Sequence, residues 1–385
     1  MGSAPEGASR SIADGPGARL STLDRFLPLW ILAAMAAGLA LGRFLPGVGQ
    51  ALDSLQVAGM SVPIAVGLLV MMYPVLAKVR YGETGGVLRD RRLMAASLVL
   101  NWLVAPAFMF ALAWIFLPDL PEYRTGLIIV GLARCIAMVL IWNDLACGDR
   151  EAAAVLVAVN SVFQVLAFGA LGWFYLQVLP GWLGLPVTSA EFSFTAITGS
   201  VLVFLGIPLL AGYLSRRIGE ATRGRTWYEE RFLPRIGPLA LYGLLFTIVL
   251  LFALQGGNVI DRPLDVARIA LPLLVYFTVV FGAGMLTGRF LRLGYARTTT
   301  LAFTAAGNNF ELAIAVAIAT FGAASGQALA GVVGPLIEVP VLVALVYAAL
   351  LARRFFPVDA AADALPPSPP APHPAPAAAS AKEIP

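Results

Sequence analysis

Two residues able to do chemistry stand side by side inside an apolar run. The stretch "GLARCIAMVLIWNDLACGD", residues 131–149, has the length and apolarity of a membrane helix, yet carries Arg134 and Cys135 near its middle. An arginine at such depth costs about 3 kcal/mol on insertion scales, so it calls for a partner or a cavity. A cysteine supplies a soft sulfur, the ligand type chosen by soft, thiophilic centres. On its own a buried cysteine is usually a small inert hydrophobe. Here its neighbour is a fixed cation, which favours the thiolate wherever the two environments touch. The only other cysteine is Cys147. Along a straight helix the two thiols would stand about 18 Å apart. A soft-atom site therefore uses one thiol and binds weakly, as suits a carrier that must release its cargo. A tight structural metal site wants three or four ligands. The single histidine, His373, lies in a Pro/Ala-rich tail, so a His-based metal site is excluded.

Other polar residues interrupt apolar runs. Asn143 and Asp144 follow in the same stretch. "TAAGNNFELAIAVAIATFG" at 304–322 holds Gly307, Asn308, Asn309 and Glu311. Glu338 lies within "GPLIEVPVLVALVY" at 334–347, and Asn101, Asn160 and Gln164 sit in two further runs. Charges buried at membrane depth usually face a cavity or a partner and mark a transport path. For Arg134 the competing reading is a structural ion pair with a glutamate. For Asn308 and Asn309 it is an ordinary interhelical hydrogen bond, against holding backbone groups freed where a helix unwinds. For Glu338, followed by Pro340, the structural role is favoured.

The elements that must position these residues follow from composition. The chain is 59% hydrophobic and 12% charged, with mean hydropathy +0.84, against about 25% charged in a soluble domain. An integral membrane protein is expected. Ten apolar segments of spanning length are read at about 26–45, 58–78, 93–117, 124–146, 151–179, 194–215, 233–255, 266–289, 298–321 and 327–351. The net charge of +4 does not point to nucleic acid, because the basic residues fall in short loops. With the N-terminus in the cytoplasm, 21 Lys and Arg fall on the cytoplasmic side and 4 on the other, Arg134 lying inside a helix. This split predicts both termini in the cytoplasm, and the membrane is expected to be a bacterial inner membrane. Residues 1–21 and 356–385 are polar or Pro/Ala-rich and are expected to be disordered.

Ten spans divide into two fives, 22–180 and 190–355, and an odd-numbered repeat sets its second copy upside down. The fourth and ninth segments support this division. Each is an apolar helix interrupted by polar residues near its middle, followed by a link rich in small residues and one last helix.

"GLARCIAMVLIWNDLACGD" resembles the fourth-helix signature of the arsenical-resistance arsenite efflux permeases, in the bile acid/arsenite/riboflavin transporter superfamily. "LSTLDRFLPLWILAAMAAGLALG" at 20–42, "PIAVGLLVMMYPVLAKVRYG" at 63–82 and the 304–322 and 334–347 stretches agree, so the resemblance covers about residues 20–355. It implies an all-α integral membrane fold of ten helices in two inverted five-helix repeats. Interrupted helices 4 and 9 would cross near the midplane. It implies export of arsenite, As(III), and of antimonite, by proton antiport. It places the family's fourth-helix cysteine on Cys135, as the thiol ligand of As(III), and its ninth-helix glutamate on Glu311. Arg134, Asn308, Asn309 and Glu338 are the supporting or coupling residues. One departure is Cys147, where many relatives are expected to carry a lysine. No cofactor, catalytic residue or nucleic-acid partner is expected. A Walker A motif does not occur in this chain, and an accessory ATPase on another chain stays compatible.

Two other classes compete. A sodium-coupled organic-anion transporter of the same superfamily would account for the fold and the polar breaks, but not for the Cys135 signature. An intramembrane enzyme or receptor finds no H-E-x-x-H or G-x-S-x-G motif here.

Overall fold

A computed structural model describes residues 26–45, 47–57, 60–79, 87, 89–187, 194–322 and 325–356. The ends expected to be disordered, 1–21 and 356–385, lie outside these residues except for Phe356.

The described residues are almost entirely helical. The first helices are α1 (Leu27–Phe44) and the short α2 (Gly47–Ser54), followed by a two-residue ladder of β1 (Gln56–Val57) and β2 (Met60–Ser61) that leads into α3 (Val62–Ala77). Next come α4 (Arg91–Phe116), α5 (Pro121–Leu132), α6 (Met138–Leu145) and α7 (Arg150–Trp182). The second half holds α8 (Phe194–Arg223), α9 (Leu233–Asp261), α10 (Pro263–Phe290), α11 (Gly294–Ala306), α12 (Phe310–Phe321) and α13 (Gly326–Ala352). Among the described residues seven helices are long and apolar enough to cross a membrane, and α3 and α12 are shorter apolar helices. The two segments read as interrupted are broken: one into α5 and α6, the other into α11 and α12.

Local chemistry sets these boundaries. Asp90 caps α4 by accepting from Arg92 N and Leu93 N, and Asp149 caps α7 by accepting from Ala152 N. Ser325 does the same for α13 through Ala328 N. Each satisfies a donor that the first helical turn leaves unpaired. Prolines shape the long helices in a regular way. Wide π-helical turns occur at Leu100–Val104, Phe174–Val178, Leu202–Gly206 and Tyr228–Phe232. A proline follows each one two residues on: Pro106, Pro180, Pro208 and Pro234. Proline lacks an N–H, and its ring crowds the carbonyl four residues back. That carbonyl is the middle of the π turn in every case, so the widened turn absorbs the clash without ending the helix.

Packing sorts the helices into two groups. α9 lies against α1 and α3; α4, α5, α7 and α10–α13 form the second group around the two breaks; and α8 joins the two, its second half against α3 and its first half against α7 and α12. Backbones approach closely inside each group. A Cβ on Gly42 of α1 would collide with the Ala253 carbonyl of α9, and one on Gly126 of α5 would lie 2.6 Å from the Gln327 carbonyl of α13. Small residues permit such contact where lipid provides no hydrophobic drive between helices. Polar links tie the ends of the second group. Arg297 of α11 pairs with Asp90 at 3.0 Å and Asp149 at 3.3 Å. At the other end Arg268 of α10 pairs with Asp119, between α4 and α5, and Tyr123 Oη donates to Asp265 Oδ2 at 2.8 Å.

Candidate functional site

The two breaks meet. Residues 133–137 separate α5 from α6, and residues 307–309 separate α11 from α12. They run antiparallel and form a single bridge between Arg134 and Asn308. Cys135 N–H donates to the Gly307 carbonyl at 3.2 Å, and Asn309 N–H donates to the Ala133 carbonyl at 2.9 Å. Each break thus satisfies backbone groups that the other has freed, which is what permits irregular backbone inside a membrane protein. Gly307 is closely packed: a Cβ there would lie 3.0 Å from the Cys135 Cβ, so one of the two would have to give by a few tenths of an ångström.

Arg134 is fully buried behind the bridge. Its Nη1 donates to Tyr276 Oη at 2.9 Å and to the Ala305 carbonyl at 3.2 Å, and its Nη2 donates to the Gly131 carbonyl. Its backbone N–H donates to Gln164 Oε1. Ala305 and Gly131 lie in the last turns of α11 and α5, where carbonyls lack intrahelical partners and the helix dipole is negative. Two helix ends therefore hold the guanidinium. Among the described residues no carboxylate lies within ion-pair distance of it, so the structural Arg134–glutamate pair weighed from the sequence is not formed. Nor do its hydrogen bonds run to Cys135, because neighbouring side chains diverge.

Asn308 is the hub of the crossing. Its N–H donates to Glu338 Oε1 of α13 at 3.3 Å, and its Oδ1 accepts from Tyr276 Oη at 3.3 Å. Asn309 caps α12, its Oδ1 accepting from Leu312 N at 3.0 Å. The Nδ2 donors of both asparagines are buried and make no hydrogen bond among the described residues. Glu311 lies in the first turn of α12, where the helix dipole favours a negative charge.

A cavity of about 820 Å³ runs from the crossing to one rim. Cys135, Asn308, Asn309 and Glu311 line its inner end, with Met71, Met72 and Met138; Lys78, Arg150 and Arg297 line the outer end. The Arg150 side chain is 77% exposed and pairs with Asp144 at 2.8 Å. The sequence-derived residues thus fall into two sets. Cys135, Asn308, Asn309 and Glu311 reach the cavity; Arg134 and Glu338 stand behind the crossing and brace it. Cys147, just beyond α6, is half-buried with φ of 56° and does not line the cavity. Tyr276 is the member of the site that sequence reasoning missed. Its only signal is a phenol hydroxyl in the apolar run "LPLLVYFTVVF", where Thr278 carries the one other hydroxyl. Among the described residues no three His, Cys, Asp or Glu side chains cluster as a metal site.

An apolar helical bundle built around two broken, antiparallel helices and a cavity ending on a thiol defines a multi-pass membrane protein. A family model described as the Sodium Bile acid symporter family matches residues 65–262. The arsenical-resistance protein Acr3 of Corynebacterium glutamicum is 64% identical over 343 residues, covering 89% of this chain and 93% of its own. An uncharacterised transporter of Synechocystis is 35% identical over 362 residues, covering 89% and 92%. The Acr3 of Alkaliphilus metalliredigens is 31% identical over 361 residues, covering 91% and 98%. The chain belongs to the Sodium Bile acid symporter family and, within it, to the arsenical-resistance proteins named Acr3.

Proposed function

We propose that this protein is a secondary active transporter, not an enzyme, that exports As(III) from the cytoplasm in exchange for protons, with antimonite as a second substrate. The observation that carries the reading is Cys135: a thiol at the junction of two broken helices, lining a cavity beside Asn309 and Glu311, in a chain 64% identical to an arsenical-resistance protein. The ten apolar segments are taken as ten spans in two inverted repeats, 22–180 and 190–355. The Lys/Arg distribution sets both termini, and the rim of Lys78, Arg150 and Arg297, in the cytoplasm of the bacterial inner membrane.

Arsenous acid is neutral and carries three hydroxyls. The capture step is a ligand exchange: the Cys135 sulfur bonds to arsenic, one As–OH bond breaks, and the thiol proton leaves with that hydroxyl as water. No electron changes hands. The remaining hydroxyls match the unpartnered Nδ2 donors of Asn308 and Asn309. One sulfur is a weak enough hold for release, which is the reverse exchange with water on the far side. Glu311 shares the cavity with the thiol and is the group assigned to carry the counter-proton, so that arsenic and proton use one site in turn. Arg134 and Glu338 hold the crossing together.

Arsenite efflux from cells lacking their own exporter, with and without a proton uncoupler, tests this. Efflux that persists unchanged without a proton gradient would remove the antiport, and no efflux at all would remove the substrate. A second reading, a sodium-coupled organic-anion importer, draws on the family match and on a cavity far larger than arsenous acid. Sodium-dependent uptake of a bile-acid-like anion by vesicles, without arsenite transport, would favour it.

A further inference from the structure

The connection between α8 and α9 sorts its arginines into two sets. Arg216 is buried: its Nη1 donates to Glu220 at 2.6 Å and Glu229 at 3.4 Å, its Nη2 donates to the Lys78 carbonyl at 3.1 Å, and it lies over the Tyr228 ring. Arg225 also pairs with Glu229. By contrast Arg217, Arg223, Arg231 and Arg235 are exposed and have no carboxylate partner among the described residues. Arg217 reaches only Tyr213 Oη, and Arg223 lies over the Trp227 ring at 4.9 Å. Of the three acidic residues here, Glu220 and Glu229 turn to Arg216 and Arg225, while Glu230 is exposed alongside four outward cations.

Each unpaired set continues an apolar stripe. On α9, Arg235, Leu239, Tyr242 and Phe246 follow at spacings of four, three and four, which is one face of a helix, with Arg231 one turn earlier. Leu239 is 42%, Tyr242 58% and Phe246 47% exposed. On α8, Ile207, Leu210 and Leu214 are exposed and lead, at spacings of three, four and three, to Arg217. Two surfaces, one on each side of the connection, therefore pass from apolar side chains to unpaired guanidinium groups, and the Trp227–Phe232 stack lies in the connection that joins them. That sequence of chemistries matches one kind of molecule lengthwise: acyl chains against the stripes, a phosphate against the arginines.

We infer that the α8–α9 connection is a binding surface for an anionic glycerophospholipid. The same connection holds the end of α3 through Arg216 to the Lys78 carbonyl and Tyr228 Oη to the Ala77 carbonyl. Lipid bound there steadies the rim of the cavity, which Lys78 and Val79 line.

Native mass spectrometry of the full chain, purified with mixed phosphatidylcholine and phosphatidylglycerol, tests the surface without any transport measurement. Its failure therefore leaves the arsenite reading untouched. Phosphatidylglycerol should be retained several-fold over phosphatidylcholine and should raise the melting temperature. Arg231→Gln/Arg235→Gln should lose the preference and the shift, whereas Arg91→Gln/Arg92→Gln, with the same charge removed at the start of α4, should keep both. Arg217→Gln/Arg223→Gln repeats the test should the first variant fail to give a monodisperse protein. Added glycerol phosphate should not compete, because it lacks the acyl chains; full competition would assign the arginines to a soluble phosphate instead. Equal retention by all variants, or equal loss in the α4 control, would overturn the proposal.

Discussion

Cys135 and Gly307 touch backbone to backbone: the Cys135 N–H donates to the Gly307 carbonyl at 3.2 Å, and the space a Cβ on Gly307 would need ends 3.0 Å away at the Cys135 Cβ. A methyl group at 307 displaces the thiol by a few tenths of an ångström or strains the bridge. Gly307→Ala should therefore lower arsenite export several-fold and destabilise the fold by about 1–3 kcal/mol. Thermal unfolding in detergent and efflux assays read the two effects; wild-type values for both would mean that the break yields freely.

The thiols are expected to differ sharply. Cys135→Ser should abolish arsenite export at normal membrane expression, since oxygen is a poor ligand for a soft centre. Cys147→Ser should retain most of it, because that thiol lies outside the cavity. Reversed results would move the site to the rim beyond α6.

Arg134 is held by acceptors from three elements, which a planar fork can reach together and an ammonium cannot. Arg134→Lys should cost about 2–3 kcal/mol of stability through lost charge-assisted bonds. Tyr276→Phe removes one hydroxyl between Arg134 and Asn308 and should cost about 1–2 kcal/mol. The two losses should be less than additive in the double variant, because they share a bond. Strict additivity of the melting data would show that the phenol and the guanidinium act independently.

Glu311 and Glu338 separate coupling from bracing. Glu311→Gln should eliminate uphill arsenite accumulation in inverted vesicles under an imposed pH gradient while Cys135 still captures As(III). Glu311→Asp, which titrates but reaches less far, should keep partial activity. Glu338→Gln should be milder, as its oxygen can still accept from Asn308 N–H. If Glu311→Gln accumulates arsenite uphill, the proton carrier lies elsewhere, with Glu338 first in line.

At the end of the helix group opposite the cavity rim, the hydrogen bond from Arg268 holds the Asp119 carboxyl down at about 2, from an ordinary 3.8. A lowered carboxyl pKa adds stability that is present above the ordinary value and is lost as pH falls through the lowered one. The link between α10 and the turn after α4 should thus persist at pH 4 and fail only in stronger acid. Carbon-13 titration of the Asp119 carboxyl should show this, and Arg268→Gln should return it towards 3.8.

Much of the crossing was legible because polar residues inside apolar runs are conspicuous. The Gly-Asn-Asn break before Glu311 and the polar interruption at Arg134 both fall where the helices end. What holds Arg134 was not legible. A sequence advertises carboxylates as partners for a cation, whereas the partners here are carbonyls at two helix ends and a phenol from α10. Those acceptors exist only once α5 and α11 have stopped, 171 residues apart in the case of Ala305. Gln164 stood out as polar, but its partner is a backbone N–H thirty residues away. The π turns were not legible either: each lies at a fixed distance before a proline, but Pro74, Pro238, Pro272, Pro335 and Pro340 lie inside helices without such a turn.

The pairing of the two breaks also dictates an order of manufacture. Ala133 and Cys135 emerge with the first half of the chain, and Gly307 and Asn309 with the last third. Until then the Cys135 N–H and the Ala133 carbonyl have no mate, and hydrocarbon offers none. The nascent first half must keep that joint wet, or hold it inside the insertion machinery, until α11 and α12 arrive. The thiol pocket is among the last features of the molecule to close, and a chain interrupted before residue 309 would present an unfinished seam for quality-control proteases to find.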